Sequence, residues 1–173
     1  MDAGYEYKNN SICGFGHVHS WAMGSFLTMP GTGKIKILPG SKDVPGSGYR
    51  SLINHESEKA SPGYYSVFLE DYGIKAELTA TVHGGFQRYT FPKGENGHII
   101  FDLQVPEEDK PTLIAASIRK VSDTEIEGQV KRIAGWNEYT LHFAARFNRP
   151  FESMGGWQGI DILDKTTEVS VTK

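Results

Sequence analysis

The sequence predicts an all-β protein, an antiparallel β-sandwich. Short β-rich runs recur along the chain, and each one ends at Gly, Pro, Asn or Asp. The composition agrees, because 20 glycines and 12% aromatic residues are typical of strands joined by tight turns. No stretch of ten or more residues combines a 3.6-residue periodicity with helix caps. Strands that follow one another without intervening helices favour a sandwich over a helix-containing fold.

The individual strands are predicted from alternation and from β-branched or aromatic residues. The alanines within 111–120 are compatible with a helix, but the β-branched residues on both sides favour a strand there. The expected strands cover 34–38, 64–70, 74–82, 86–91, 98–104, 112–121, 125–133, 137–147 and 167–171.

Turns are expected between these strands, and they predict sequential antiparallel pairing. The segments 70–73 and 122–124 carry the Asp and Gly of tight reversals, and 92–97 is a longer turn. A further turn is expected at 154–156. The segment 39–59 is the one long loop, and long ordered loops are often functional.

Composition and charge restrict the class of protein. A chain of 173 residues suits one domain over 1–173. A net charge of −3 without a basic cluster argues against a nucleic-acid partner. Cys13 is the single cysteine, so an internal disulfide is excluded. No apolar run approaches the ~20 residues of a membrane span, and no export signal is present in these residues.

The most informative motif is the run 14–21, Gly-Phe-Gly-His-Val-His-Ser-Trp. In an extended chain, His17, His19 and Trp21 lie on one face. Imidazole nitrogens beside an indole plate suit a sugar ring, since the nitrogens bond hydroxyl groups and the indole covers the apolar C–H face. The alternative is a half-buried strand whose polar atoms bond to the backbone.

Other candidate chemistry is weaker. The acidic groups at 70–71, 107–109 and 161/164 are better explained as solvated turns than as catalytic dyads. His17 and His19 have a metal-compatible spacing but no third ligand close in sequence, and no nucleophile elbow or Walker motif is present. Trp136 and Trp157 are either sugar platforms or anchors at the edge of the core.

Six segments together carry a family resemblance over about residues 4–159. These segments are 14–21, 29–33 (Met-Pro-Gly-Thr-Gly), 55–81 (His-Glu-Ser-Glu-Lys-Ala-Ser-Pro through Thr-Ala-Thr), 88–92 (Arg-Tyr-Thr-Phe-Pro), 101–103 (Phe-Asp-Leu) and 143–151 (Phe-Ala-Ala-Arg-Phe-Asn-Arg-Pro-Phe). With them the chain resembles the N-terminal β-domain of glycoside hydrolase family 92, and the longest matching block lies between residues 56 and 92.

The resemblance implies a sandwich of the galactose-mutarotase type, a supersandwich, truncated here at both ends. It also implies a parent enzyme that is a calcium-dependent, inverting exo-α-mannosidase, exported to the periplasm or the cell exterior. In that family, the catalytic carboxylates and most calcium ligands belong to an (α/α) barrel that packs against the β-domain and is absent here. No catalytic residue, metal or cofactor is therefore expected in this chain, and the partners expected are mannose-containing glycans, the barrel and a second copy paired edge to edge.

The resemblance further implies that the β-domain contributes a loop to the sugar pocket. Trp21 is then the leading candidate for stacking on mannose, with His19 and His17 as hydroxyl-bonding or scaffolding residues. Family members often have Arg and His where this chain has His83 and Gln87, so the contacts of those two side chains are open. Two alternatives remain, a stand-alone carbohydrate-binding module and a purely structural β-domain.

Overall fold

The computed structural model describes residues 7–17, 26–104, 112–134 and 136–172. These residues form antiparallel β-strands and one short 3-10 helix, His55–Ser57, so the predicted all-β antiparallel class is confirmed. No helix among them is long and apolar enough to cross a membrane. The strands are β1 (Ser11–Ile12), β2 (Leu27–Thr32), β3 (Ser51–Leu52), β4 (Lys59–Ser61), β5 (Tyr64–Leu69), β6 (Ile74–Ala80), β7 (Gly85–Thr90), β8 (Gly97–Asp102), β9 (Thr112–Ser122), β10 (Glu125–Ala134), β11 (Asn137–Arg146), β12 (Gly156–Gln158), β13 (Asp161–Leu163) and β14 (Glu168–Thr172).

The strands fall into two compact units, β1 to β8 and β9 to β14. The first unit is built on the sheet β4-β5-β6-β7, accompanied by the pairs β1-β3 and β2-β8. One face of its four-stranded sheet is apolar, and Leu69, Ile74 and Ala76 there have no exposed surface. Alternation along β5 and β6 therefore places every second side chain in the core of this unit.

The second unit is built on the sheet β11-β10-β9-β14, with the hairpin β12-β13 beside it. Ala116 and Val130 are paired across β9 and β10 and lie buried on one face. The opposite face carries ion pairs between neighbouring strands, such as Lys131–Glu138. Alternation again separates a buried face from an exposed, charged one, although the buried face includes Arg132, which is 1% exposed.

Most of the predicted strands are confirmed, and so are the turns at 70–73 and 122–124. The strand predicted at 34–38 is wrong. Its Lys-Ile-Lys-Ile alternation has no core to face, because Ile35 and Leu38 are 57% and 55% exposed. The Leu38 carbonyl instead accepts a bond from the Tyr49 N–H at 2.8 Å, which holds the segment as a loop.

The pairing order also differs from the predicted sequential pairing at two places, since β14 pairs with β9 and β8 pairs with β2. The turn at 92–97 was expected to return the chain beside β7, but β8 pairs with β2 over its full length. The predicted long loop, 39–59, contains the strand β3 and the 3-10 helix. The Asn54 side chain caps that helix by accepting a bond from the Glu56 N–H. That the chain is one domain over 1–173 stays a prediction.

Candidate functional site

A two-residue bridge closes the segment that carries the predicted sugar-binding motif. Phe15 and Thr28 pair antiparallel, with N–H to carbonyl oxygen distances of 2.8 Å and 3.0 Å. Both residues are buried, at 6% and 4% exposure. Phe15 and Thr28, which flank the segment 16–27, are therefore held side by side. His19 and Trp21 lie outside the described residues, so their common face with His17 stays a prediction.

His17 lies in a bend just after this bridge. Its ring rests on the backbone of Gly85, the first residue of β7. A Cβ atom added to Gly85 would lie 2.3 Å from His17 Cδ2, so only glycine leaves room for the ring. Although much of His17 is exposed, this partial burial lowers the pKa of its imidazole. His17 is therefore a neutral hydrogen-bonding group over most of the physiological pH range.

The side chains of Thr28, Gln87 and Tyr89 form a hydrogen-bonded group at this bridge. The Thr28 and Tyr89 hydroxyl groups lie 2.7 Å and 2.6 Å from Gln87 Oε1, and they lie 3.2 Å from each other. The amide oxygen accepts from both hydroxyls. Burial raises the pKa of Tyr89, so its hydroxyl stays protonated and keeps donating. Gln87, where family members often have His, is thus part of the structural support of the bridge.

Arg88 lies next to Gln87 but points to the opposite face of the sheet. Its guanidinium donates two bonds to the Glu77 carboxylate, at 2.8 Å and 2.9 Å. The Tyr64 hydroxyl and Lys75 Nζ also bond Glu77 Oε1. These donors, Arg88 first, hold the pKa of Glu77 at about 2. Sequence reasoning missed this cluster, although alternation along β6 and β7 places its members on one face.

His83, the second departure from the family pattern, lies exposed in the turn between β6 and β7. The Thr81 N–H and the Gly84 carbonyl close that turn with a bond of 2.8 Å. Trp136, an alternative sugar platform, also lies in a turn and is 96% exposed, whereas Trp157 on β12 is half-buried. The core-anchor interpretation therefore does not fit Trp136.

A second polar cluster was not predicted. His55 Nε2 lies 3.1 Å from Asn10 Oδ1, while its Nδ1 contacts the Glu58 carboxylate. The same carboxylate accepts a bond from the Tyr65 hydroxyl, and the Tyr7 ring stacks on the imidazole with centroids 4.5 Å apart. The cluster ties the chain before β1 to the 3-10 helix and β5. The sequence does offer one local signal, the cap residue Asn54 before His55. It does not reveal the cluster, because the contact between His55 and Asn10 joins residues 45 positions apart.

Within the described ranges, no group of three or more His, Cys, Asp or Glu side chains is arranged to hold a metal ion.

Comparison with known proteins gives the wider context. A family model described as the glycosyl hydrolase family 92 N-terminal domain matches residues 1–173. Two solved structures of the GH92 α-mannosidase BT3965 from Bacteroides thetaiotaomicron are similar, each with 30% identity over 96% of this chain. The TM-score is 0.85 for the complex with mannoimidazole and 0.86 for the other structure. No curated protein matches the chain.

The match is confined to part of those neighbours. The chain spans 23% and 24% of the length of the two BT3965 chains. The family match, in contrast, extends over all 173 residues of the present sequence. On this basis the chain belongs to the N-terminal domain family of glycosyl hydrolase family 92.

Proposed function

We propose that this chain is the N-terminal accessory domain of an inverting, calcium-dependent exo-α-mannosidase that releases mannose from α-mannosides such as N-glycans. Family membership over the whole chain supports this proposal, as does 30% identity to an α-mannosidase solved with mannoimidazole. Because the chain spans about a quarter of that neighbour, the catalytic groups are assigned to the remainder of the parent protein.

The domain's own contribution is a wall of the sugar pocket made by His17, His19 and Trp21. The observation that carries this assignment is the Phe15–Thr28 bridge, which fixes both ends of the segment holding all three residues. A neutral imidazole at His17 both donates and accepts hydrogen bonds, which suits a sugar hydroxyl. Trp21 supplies an apolar plate that covers the C–H face of the sugar ring.

In this scheme the chain binds and orients mannose but moves no proton of the reaction. A carboxylic acid and a carboxylate elsewhere in the parent would flank the glycosidic bond with room for the attacking water, as inversion requires. Calcium, held by ligands outside this chain, would polarise hydroxyl groups of the sugar. A wall that contacts the sugar equally in the ground state and the transition state contributes to binding, so a defect in it raises KM more than it lowers kcat. Export to the periplasm or cell exterior is part of the same proposal.

The proposal is tested in the full-length gene product with the variants Trp21→Ala and Trp136→Ala. Aromatic stacking contributes about 0.5–1.5 kcal/mol, so Trp21→Ala should raise KM for an α-mannoside about 2- to 12-fold with kcat largely retained. Trp136→Ala tests the alternative platform, because Trp136 is 96% exposed in the turn before β11, and this variant should leave KM unchanged. An unchanged KM in Trp21→Ala removes Trp21 from the pocket. A full-length product without α-mannosidase activity contradicts the proposed reaction and favours a sugar-binding or structural role.

A further inference from the structure

The four-stranded sheet of the first unit has one face outside the core, which we call the open face. The pairing registers place Tyr64, Thr79 and Phe86 in one row across β5, β6 and β7. Large apolar side chains remain accessible there, since Phe86 is 67% and Phe68 is 42% exposed, and Tyr64 is 37% exposed. Clustered aromatic side chains on one exposed face are typical of an interaction surface, whereas single exposed ones are ordinary.

Glu77, the polar centre of the open face, already has its hydrogen-bond partners within that face. Glu77 is only 8% exposed, because the side chains around it already cover it. Its carboxylate receives bonds from Arg88 (2.8 Å and 2.9 Å), Tyr64 (2.8 Å) and Lys75 (3.1 Å). A charge that is fully hydrogen-bonded within its own face can be covered by another surface without being left unpaired.

Charge on the open face favours one kind of partner surface. Lys59 pairs with Ser66 in register and therefore belongs to the same face as Lys75 and Arg88. These three cations share the face with one carboxylate, Glu77. A complementary surface is accordingly apolar opposite the aromatic side chains and acidic around them.

We propose that the open face docks onto the remainder of the mannosidase chain, through an apolar surface edged with carboxylates. The chain spans 23–24% of the related mannosidase chains, so about three quarters of such a protein is available as the occupant. This inference rests on the proposed function, since it requires the chain to be part of a larger mannosidase.

Hydroxyl-radical footprinting tests the docking directly, because it labels aromatic side chains that water can reach. Tyr64, Phe68 and Phe86 should be oxidised in the 173-residue chain and lose that labelling in the full-length gene product. Tyr49 and Tyr72, buried at 1% and 9% exposure, should stay unlabelled in both and so report a folded first unit. The wild-type comparison alone decides the proposal, even when a variant does not fold.

Two variants of the full-length product sharpen the result. Phe86→Asp should restore labelling of Tyr64 and Phe68. Val82→Asp is the matched control, because Val82 is 91% exposed in the turn before β7 and lies off the open face, and it should leave them protected.

Three results overturn the proposal: equal labelling of the open face in both proteins, protection in the 173-residue chain that grows with its concentration and so indicates a second copy, or a reading frame that ends at Lys173. An active α-mannosidase with a fully labelled open face refutes the docking and leaves the proposed function intact. Protection of the open face in a protein without mannosidase activity refutes the function instead.

Discussion

Replacing Tyr49 by Phe should destabilise the first unit by about 1.5–3 kcal/mol, the range for a hydrogen bond to a charged group. Tyr49 is 1% exposed, and its hydroxyl donates to Asp102 Oδ2 at 2.5 Å. Burial, followed by the nearby Asp102 charge, raises the pKa of the phenol, so the hydroxyl keeps its proton and donates it. The substitution removes one oxygen atom without altering the ring, and a buried carboxylate loses a donor.

The assay is equilibrium urea unfolding of the 173-residue chain. With a slope of about 2 kcal/mol per molar urea, the Tyr49→Phe midpoint should fall by roughly 0.8–1.5 M. Tyr72→Phe is the matched control in the same unit, because its hydroxyl donates to the neutral Tyr49 carbonyl at 2.9 Å. That loss should cost about 0.5–1.5 kcal/mol. A Tyr49→Phe cost equal to or below that of Tyr72→Phe would refute the argument that the charged acceptor sets the magnitude.

Two further predictions concern pH. The pKa of Glu77 is about 2, below its ordinary value of 4.5, so its stabilising contribution is present above pH 4.5 and is lost as pH falls toward 2. Glu77→Gln should therefore weaken the decline in unfolding free energy over that window, measured by urea unfolding at several pH values; an unchanged decline contradicts the assignment. Gly85→Ala should push the His17 ring off the backbone and raise its pKa toward 6.5, measured by NMR titration with His17→Gln to assign the signal. A His17 pKa equal to that of the wild type would show that the contact is absent in solution.

Local sequence patterns were sufficient to predict the strands that pair with their neighbours in the chain. The runs that became β5, β6 and β7 alternate regularly and are joined by short turns, so both pattern and pairing were predictable. β2 was missed because it contains Pro30 and Gly31, which normally argue against a strand. In the structure the Thr28 N–H bonds to Phe15, away from β8, and Pro30 faces the same way two residues later. Its missing N–H therefore interrupts no bond to β8.

Long-range contacts account for the other differences. The β8 pairing with β2 joins residues about seventy positions apart, and no local signal encodes it. The candidate site shows the same division. The motif containing His17 was visible in the sequence, whereas the support of Gln87 and Tyr89 beneath Thr28 depends on contacts between residues about sixty positions apart. Such contacts are fixed by the packing of the whole unit, which a short window of sequence does not contain.

Because of the Phe15–Thr28 bridge, the sequence between these two residues can change independently of the strand pairing beside it. The two backbone bonds of the bridge need no particular side chain between residues 16 and 27. The closure entropy of a connecting segment grows only slowly with its length, by about 0.6 kcal/mol for each doubling. Changes between residues 18 and 25 therefore need not shift the register of β2 on β8. The bridge thus lets the sequence between residues 18 and 25 vary while the pairing of β2 with β8 is kept.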